Sequence, residues 1–294
     1  MDDLSFTHVP TLNRPILLLA FTGWNDAGTA ASFAARFLTQ RFAAHKFASL
    51  DPETFYNFVE HRPMVRLRNG EREITWPVNE FLYARDPGLV QDIVIGLGVE
   101  PDLRWRAYMD AIMHIVQTCK VELVVTLGAL LADVAYSRPV RLTGTASDSM
   151  LAQRLNLSVS RYEGPTGIVG VLNDACKRRG LPAISIWANV PHYIQASPNV
   201  KAALAIVRRV LTLLDFSTDL SDLERASADF DKRVTDVLAT DAKMAEYVRR
   251  LEERHDEDDD EESHDETDAL PSGEELAREL EQFLREQRRE RGED

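Results

Sequence analysis

The chain has 294 residues, 44% of them hydrophobic, and a formal net charge of −14. This length and apolar content suffice for one α/β domain of roughly 200 residues with appendages. Residues 252–268 hold twelve acidic side chains and one arginine, and residues 1–251 are nearly neutral. No basic excess marks a nucleic-acid-binding surface, so we expect no nucleic-acid partner.

The first predicted unit is a strand, a turn and a helix. Residues 16–21 form an apolar run that is long enough for a buried strand and too short to span a membrane. Gly23, Trp24, Asn25 and Asp26 then form a turn before an alanine-rich helix over residues 27–42. Ligands of open α/β sheets bind at this end of a strand, so the turn is a candidate functional site.

The next segments predict an antiparallel part of the sheet. Residues 46–58 are strand-like but contain Asp51-Pro52-Glu53, a turn sequence that divides the segment. Residues 64–68 and 73–76 flank Asn69-Gly70, a dipeptide typical of tight β-hairpins. We therefore predict a mixed sheet with a hairpin at one side.

From residue 92 onward, strands alternate with helices. Apolar runs over residues 92–101, 121–127 and 181–188 predict buried strands, and residues 142–145 predict a short one. The predicted helices cover residues 105–119, 168–178 and 199–214, and one more begins near residue 149. Crossover helices join parallel strands, so we predict an α/β fold with a mostly parallel sheet covered on both faces.

A helical extension over residues 219–252 is predicted to follow a core domain over residues 1–218. Its apolar side chains recur at spacings of three and four, and they are Leu223, Phe230, Val234, Val237, Met244, Val248 and Leu251. Asp241 interrupts this stripe, which fits one long helix or a helical hairpin. The stripe must pack on the core or on a second subunit, because so few heptads are marginal alone in water.

The end of the chain is predicted to be an acidic linker followed by a helix. Residues 253–271 are rich in acids that repel one another, which predicts a disordered segment. Residues 272–294 favour a helix, with Ser272 and Glu275 spaced as a capping box and Leu276, Leu280 and Phe283 on one face.

Cysteine usage and the first residues indicate a cytoplasmic protein. Cys119 and Cys176 lie in predicted helices without the spacing of a zinc site, so we expect buried free thiols and no metal. Residues 1–10 lack the basic and apolar regions of a signal peptide. We expect no cofactor and no membrane association.

Polar side chains follow four predicted strands. They are Asn25 and Asp26, Glu100, Asp148 and His192. Two carboxylates and a histidine at one sheet edge could perform general acid and base catalysis, with Asp26 or Glu100 raised in pKa by burial. In the alternative interpretation, Asn25 and Asp26 bond the turn's own backbone, Asp148 caps a helix and His192 is structural.

Gly164-Pro165-Thr166-Gly167 precedes a predicted helix. Free backbone amides and the positive end of a helix dipole can bind an anion, so Gly164, Thr166 and Gly167 are candidate ligand contacts. The segment lacks the lysine of a phosphate-binding loop and the GxGxxG spacing of a dinucleotide site. The signal is weak, and the alternative interpretation, a plain turn at a helix start, is favoured.

Seven segments form a recognisable set. They are AFTGWNDAG at 20–28, IGLGVEPDLRW at 95–105, LGALLADV at 127–134, TGTASD at 143–148, YEGPTGIVGVLNDAC at 162–176, ANVPHYIQASPN at 188–199 and the DxxMxEYVRRLE run at 241–252. The set resembles the bacterial, mainly actinobacterial, members of the proteasome assembly chaperone 2 family. It spans roughly residues 10–252.

The resemblance implies a three-layer α/β core of the phosphorylase/hydrolase-like type, a C-terminal helical extension and a homo-oligomer such as a trimer. Eukaryotic and archaeal relatives are noncatalytic chaperones that hold proteasome α subunits. Some of them use a C-terminal motif of a hydrophobic residue, a tyrosine and any residue. This chain ends Arg291-Gly292-Glu293-Asp294, so we do not expect that mode of docking.

Two functions remain open at the level of sequence. The first is a noncatalytic scaffold or assembly chaperone that associates with itself and with another protein, which the resemblance and the apolar helical stripe favour. The alternative is an enzyme or binder of a small anionic or nucleoside-like ligand at the carboxyl ends of the strands. A closed pocket that gathers the candidate residues would favour the alternative.

Overall fold

A computed structural model describes residues 3–147, 149–155, 157 and 163–262 of the chain. Its strands are β1 (Leu4–Phe6), β2 (Ile16–Thr22), β3 (His45–Leu50), β4 (Met64–Arg68), β5 (Glu71–Thr75), β6 (Asn79–Ala84), β7 (Ile93–Val99), β8 (Leu123–Ala132), β9 (Leu142–Ala146) and β10 (Ala183–Pro191). Its helices are α1 (Ala30–Arg41), α2 (Pro52–Phe55), α3 (Trp105–Cys119), α4 (Ser149–Leu155), α5 (Ile168–Arg178), α6 (Val200–Leu213), α7 (Ser221–Leu238) and α8 (Ala242–Glu262).

Eight strands form one sheet in the order β1-β3-β6-β7-β2-β8-β10-β9. The four neighbours β7, β2, β8 and β10 run parallel. On one side β6, β3 and β1 continue the sheet in antiparallel fashion, and β9 does so on the other. The predicted mixed α/β fold is confirmed, with its parallel part at the centre.

The sheet is the middle of three layers. Along β2, successive side chains enter opposite cores because a strand alternates its faces. Leu17 and Leu19 join a cluster with α3 and α5, whereas Leu18 and Ala20 join a cluster with α1, α6 and α7. Every residue from 16 to 21 is buried, which explains why the sequence is apolar without alternation.

The strand predicted to end at Gly128 continues to Ala132 as β8. Gly128 pairs with Trp187 of β10, and a Cβ atom at this glycine would lie 2.5 Å from the indole ring. The glycine therefore makes room for Trp187 and does not form a turn. The predicted strand was too short because Gly128 was taken as a turn residue.

The predicted hairpin forms but does not join the main sheet. Strands β4 and β5 make a separate two-stranded sheet, and all their residues are exposed. The antiparallel side of the main sheet comes instead from β1, β3 and β6. The prediction was wrong on this attachment, because an Asn-Gly turn fixes the hairpin and not what the hairpin packs against.

The C-terminal extension is a helical hairpin of α7 and α8. Asp241 separates the two helices, and its Oδ1 accepts hydrogen bonds from the amides of Lys243 and Met244 at 2.9 and 3.2 Å. It therefore caps α8. Leu223, Phe230 and Val234 pack in the core cluster that contains α1 and α6. This part of the stripe is thus covered by the chain's own core.

One predicted boundary in the C-terminal part differs from the structure, and another lies outside the described residues. Helix α8 continues to Glu262, so residues 253–262 of the expected linker are helical. The helix that Asp241 caps extends through residues such as Glu252 and Glu253, which are good helix formers. Residues 263–294, with the rest of the linker and the predicted last helix, lie outside the described residues, as does Asp148.

Both cysteines are free and buried, as predicted. Burial raises the pKa of Cys119 to about 11 and that of Cys176 to about 12. Both side chains therefore remain protonated thiols at neutral pH. In the ranges given above, no helix has the length and apolar content needed to cross a membrane.

Candidate functional site

The candidate residues lie at one edge of the sheet, which we call the carboxyl edge because the parallel strands β2, β7, β8 and β10 all end there. Asn25 and Asp26 follow β2, Glu100 follows β7, and His192 follows β10. Sequence reasoning therefore placed these residues at the correct edge. Which of them act together depends on the contacts of each.

Asp26 is a helix cap. Its Oδ1 accepts hydrogen bonds from the backbone amides of Ala31 at 2.8 Å and Ser32 at 3.3 Å, at the start of α1. These amides have no partner within the helix, and the carboxylate also faces the positive end of the helix dipole. The side chain is thus committed to holding the strand–turn–helix unit together.

Burial raises the pKa of the Asp26 carboxyl above its ordinary range, and the amide hydrogen bonds from Ser32 and Ala31 oppose this rise. Only 5% of the residue is exposed. Its second oxygen, Oδ2, has no hydrogen-bond partner in the described part of the chain. A shifted carboxyl is one mark of an acid catalyst, but this one is enclosed by its own helix.

Asn25 ties the turn to its neighbours. Its Nδ2 donates to the backbone carbonyl of Phe21 at 3.2 Å, and the backbone carbonyl of Asn25 accepts from the amide of Ala129 at 3.0 Å. The second bond joins the turn to β8. These contacts agree with the interpretation of Asn25 as a turn residue.

Glu100 caps a second helix. Its Oε1 accepts a hydrogen bond from the backbone amide of Ile168 at 2.8 Å, at the first residue of α5. This is the helix start that the sequence marked as a possible anion site. An anionic group of the chain itself therefore occupies the positive end of the α5 dipole.

Two glycines make room for the Glu100 side chain. A Cβ at Gly167 would lie 2.8 Å from its Oε1, and a Cβ at Gly23 would lie 3.1 Å from its Cβ. Gly23 also has a φ of 139°, a region that L-residues seldom adopt. Gly23 in the first turn and Gly167 before α5 thus both leave space for Glu100. Neither segment by itself indicates this shared contact.

The remainder of the Gly164–Gly167 segment does not line a site around Glu100. Gly164 and Thr166 are exposed. The hydroxyl of Thr166 covers the position that a Cβ of Gly170 would take, so this side chain lies back over the helix. Of the three proposed ligand contacts in this loop, only Gly167 adjoins Glu100.

His192 belongs to a different group of side chains. Its Nδ1 lies 3.0 Å from Oδ1 of Asp133, and the Tyr247 hydroxyl donates to the same oxygen at 2.8 Å. The rings of His192, Tyr193 and Tyr247 contact one another edge to face, with centroids 5.5 to 5.9 Å apart. We call Asp133, His192, Tyr193 and Tyr247 the α8 anchor.

Sequence reasoning missed Asp133 and Tyr247 as partners of His192. Each lies in one of the motifs that prompted the family resemblance, LGALLADV and DxxMxEYVRRLE. Both motifs belong to the set of segments that carries the family resemblance. This shared set was the sequence signal that could have linked the two residues to His192. The three residues are far apart along the chain, so spacing could not pair them.

The structure therefore divides the predicted catalytic set. Asp26 holds α1, Glu100 holds α5, and His192 holds α8.

A cavity near the anchor, of only about 20 Å³, is lined by side chains that include Tyr136, Arg141, Asn189 and Phe230 and by none of the candidate residues. It has room for about one water molecule. Across the described ranges, no group of three or more His, Cys, Asp or Glu side chains is arranged to hold a metal ion.

The most exposed feature of the first turn is Trp24. Its side chain is 62% exposed, and Leu131, near the end of β8, is 52% exposed. Large apolar side chains at an accessible edge are suited to contact with another protein surface. Sequence reasoning did not assign Trp24 a role.

Comparison with known proteins identifies the family. The family model described as the PAC2 family matches residues 20–238. The chain belongs to the PAC2 family. The family resemblance inferred from the seven segments is therefore confirmed.

Two solved PAC2 relatives are similar along most of their length. A PAC2 family protein from Streptomyces avermitilis is 42% identical, with a TM-score of 0.74, and the match covers 80% of this chain and 99% of that one. A proteasome-assembly chaperone homologue from Mycobacterium tuberculosis is 40% identical, with a TM-score of 0.73, covering 79% of this chain and 99% of that one.

A more distant structure shares the PAC2 fold. An archaeal proteasome activator from Pyrococcus furiosus is 21% identical, with a TM-score of 0.64 over 81% of this chain and 99% of that one. At this identity the likeness concerns the fold alone. Among curated proteins, none matches the chain.

Proposed function

We propose that this PAC2 family protein is a noncatalytic scaffold of the assembly-chaperone type, which associates with itself and with another protein. The main support for this proposal is that Asp26 and Glu100 act as helix caps, because they accept hydrogen bonds from the amides of Ala31 and Ile168. These are the two carboxylates that acid and base catalysis at the carboxyl edge would need.

A capping carboxylate that also took part in catalysis would lower the stability of the protein. Removing a capping side chain typically destabilises a protein by about 1 kcal/mol, and a protonated carboxyl is a weaker acceptor than a carboxylate. A catalytic cycle that protonated Glu100 or turned it toward a substrate would weaken the start of α5 at each turnover. Fixed structural roles for both acids fit a scaffold better than an enzyme.

The relatives favour a protein partner. The Mycobacterium tuberculosis relative, which is 40% identical to this chain, is a proteasome-assembly chaperone homologue. By analogy with this relative, the partner of this chain is a proteasome subunit in the cytoplasm. The exposed side chains of Trp24 and Leu131 at the carboxyl edge provide an apolar contact surface for it.

Binding measurements separate this proposal from a ligand-binding function. Phosphate, nucleosides and nucleotides are each added to the full chain, and the melting temperature is followed. We expect no concentration-dependent rise. A saturable rise that Glu100→Gln abolishes would contradict the proposal, because a ligand that binds the native state raises its stability.

Binding to a protein is tested with the purified proteasome α subunit of the same organism. Trp24→Ala is expected to weaken co-sedimentation of the two proteins, whereas Val9→Ala, at another exposed apolar position, serves as the matched control. Absence of any complex with the unmodified chain would contradict a proteasomal partner.

A further inference from the structure

The hairpin of β4 and β5 concentrates the exposed apolar surface of the protein. The described residues carry thirteen exposed large hydrophobic side chains, and seven of them lie between residues 59 and 78. These are Val59, Met64, Val65, Leu67, Ile74, Trp76 and Val78. Four of the seven lie in β4 and β5, and the other three lie in the segments that flank the hairpin. Single apolar residues on a surface are ordinary, but such a concentration in one part of the chain marks a contact surface.

The two faces of the hairpin differ in character. Val65 pairs with Ile74, and Leu67 pairs with Arg72, so these four side chains share one face with Trp76, the next residue but one after Ile74. We call Val65, Leu67, Ile74 and Trp76 the apolar face of the hairpin. Arg72 is the charged residue on this side, and it lies at the end next to the Asn69-Gly70 turn. The opposite face carries the cross-strand pairs of Arg66 with Glu73 and Arg68 with Glu71.

The two strands also differ in charge. Both charged residues of β4 are arginines, Arg66 and Arg68, whereas β5 places Glu71 and Glu73 on the same face. Arg68 and Glu73 form an ion pair at 3.6 Å within the hairpin. The outer edge of each strand has unpaired backbone groups, because the described residues supply no third strand to this sheet.

We propose that the hairpins of neighbouring copies of this chain pair edge to edge, with β4 of one copy beside β5 of the next. The charges select this arrangement. It places arginines beside glutamates, as within the hairpin, whereas pairing β4 with β4 or β5 with β5 would juxtapose like charges. The inference rests on the proposed self-association and names its surface.

Pairing of unlike edges determines the symmetry. Each copy uses its two edges differently, so the contact is heterologous and repeats until it closes into a ring. Two copies would supply four strands, whereas three supply six and enclose the apolar faces in a small barrel that has no free edge. Arg72 of each copy then lies at the end of the barrel nearest the turns, where its charged end can reach water. The assembly is therefore a cyclic oligomer of at least three copies.

The exposed area suits contacts of this kind. Val65, Leu67, Ile74 and Trp76 are 50%, 76%, 56% and 42% exposed. Together they present on the order of 400 Å² per copy, about the size of patches that mark interaction sites. Strand pairing adds backbone hydrogen bonds at both edges of every hairpin, in the manner of strand addition to a sheet edge.

The first test substitutes the apolar face in the full chain. Leu67→Glu combined with Ile74→Glu is expected to reduce the sedimenting species to the mass of one chain. Val90→Glu, at a residue that is 64% exposed outside the hairpin, is the matched control and retains the oligomer. Unchanged far-ultraviolet circular dichroism and a cooperative melting transition show that the double variant is folded, since both residues lie outside the core.

The second test exchanges charges. Arg66→Glu with Arg68→Glu makes both strands acidic and is expected to abolish the oligomer. Adding Glu71→Arg and Glu73→Arg restores opposite charges in reversed order, so the fourfold variant recovers the oligomer. Rescue of this kind is not expected if the residues act only through general surface charge.

The outcomes distinguish this inference from the proposed function. An unmodified chain that sediments as an oligomer, together with apolar-face variants that keep its mass, overturns the hairpin assignment and leaves the scaffold proposal standing. A dimer as the largest species overturns the ring. A strictly monomeric unmodified chain overturns both the hairpin assignment and the proposed self-association.

Discussion

At the scale of single residues, the carboxyl edge of this sheet shows how capping acids can imitate catalytic ones. A helix that follows a strand begins at the same edge where ligands bind, and its first amides require acceptors. Asp26 supplies one locally, within the turn. Glu100 supplies one to Ile168, which lies 68 positions away in the sequence. Position at the edge was predictable, but the bonded partner was not.

The capping role of Asp26 predicts a loss of stability. Asp26→Ala removes both bonds to the start of α1 and is expected to lower the free energy of unfolding by about 1–2 kcal/mol. Asp26→Asn keeps an acceptor and should lose less. Denaturant unfolding followed by circular dichroism at pH 7 measures both. Equal losses for the two variants would argue against capping.

The raised pKa of Asp26 predicts a pH dependence with a definite sign. Burial penalises the charged form in the folded state, so this penalty is present above the folded-state pKa and disappears as the pH falls toward the unfolded-state value. The unmodified protein should gain stability relative to Asp26→Asn between neutral pH and pH about 4. The difference in unfolding free energy across this range is the measurement, and a change of opposite sign would contradict burial as the cause.

Gly23 is expected to tolerate substitution less well than Gly180. Both have positive φ values, 139° and 65°, but a Cβ meets nothing within 4 Å at Gly180 and meets Glu100 at Gly23. Gly180→Ala should cost about 1 kcal/mol through the backbone alone. Gly23→Ala should cost clearly more in denaturant unfolding. Similar losses at the two positions would show that Glu100 is easily displaced.

At the scale of elements, α8 is held at the carboxyl edge by polar contacts. Tyr247 donates to Asp133, and Ser137 donates to Glu252. Val248 and Leu251 are buried beside them. The apolar stripe of the sequence predicted that this segment must pack on something. It did not indicate which strand ends would receive it, because the anchor joins residues from three separate segments.

Tyr247→Phe tests this attachment. Loss of the hydrogen bond to Asp133 is expected to accelerate amide exchange over residues 242–254, with little change in the core strands. Tyr83→Phe, in β6, is the matched control. Exchange in α8 that stays as slow as in the unmodified chain would show that the hydroxyl does not hold the helix.

The Tyr247 hydroxyl also predicts release of α8 in alkali. Burial, with help from the bond to Asp133, raises the pKa of Tyr247 to about 12. Because the folded-state pKa lies above the ordinary value of about 10, this stabilisation is complete below pH about 10 and is lost as the pH rises through about 12. Amide exchange of α8 relative to the core should rise over this interval in the unmodified chain and not in Tyr247→Phe.

Prediction of elements succeeded where one local signal dominated. The run over residues 16–21 and the Asn-Gly turn each specify a strand or a hairpin by themselves. Strand β6 was missed, and the end of β8 was misplaced at Gly128. The roles of these residues depend on neighbours such as Trp187 that only the folded sheet supplies.

At the scale of the whole molecule, three layers of α/β structure carry two exposed apolar surfaces. One is the hairpin of β4 and β5, and the other is the side chain of Trp24. The sequence predicted the layers and the family, because buried runs and family motifs are continuous in the chain. It could not identify these surfaces, since an exposed apolar residue and a buried one look alike in sequence.

A self-associating scaffold must form an oligomer in solution without any other protein. Sedimentation velocity of the purified full chain, over a wide range of concentrations, measures this property. We expect one cyclic oligomer, with three copies as the smallest closed ring. A chain that sediments only as a monomer at every concentration would show that the protein is not a self-associating scaffold.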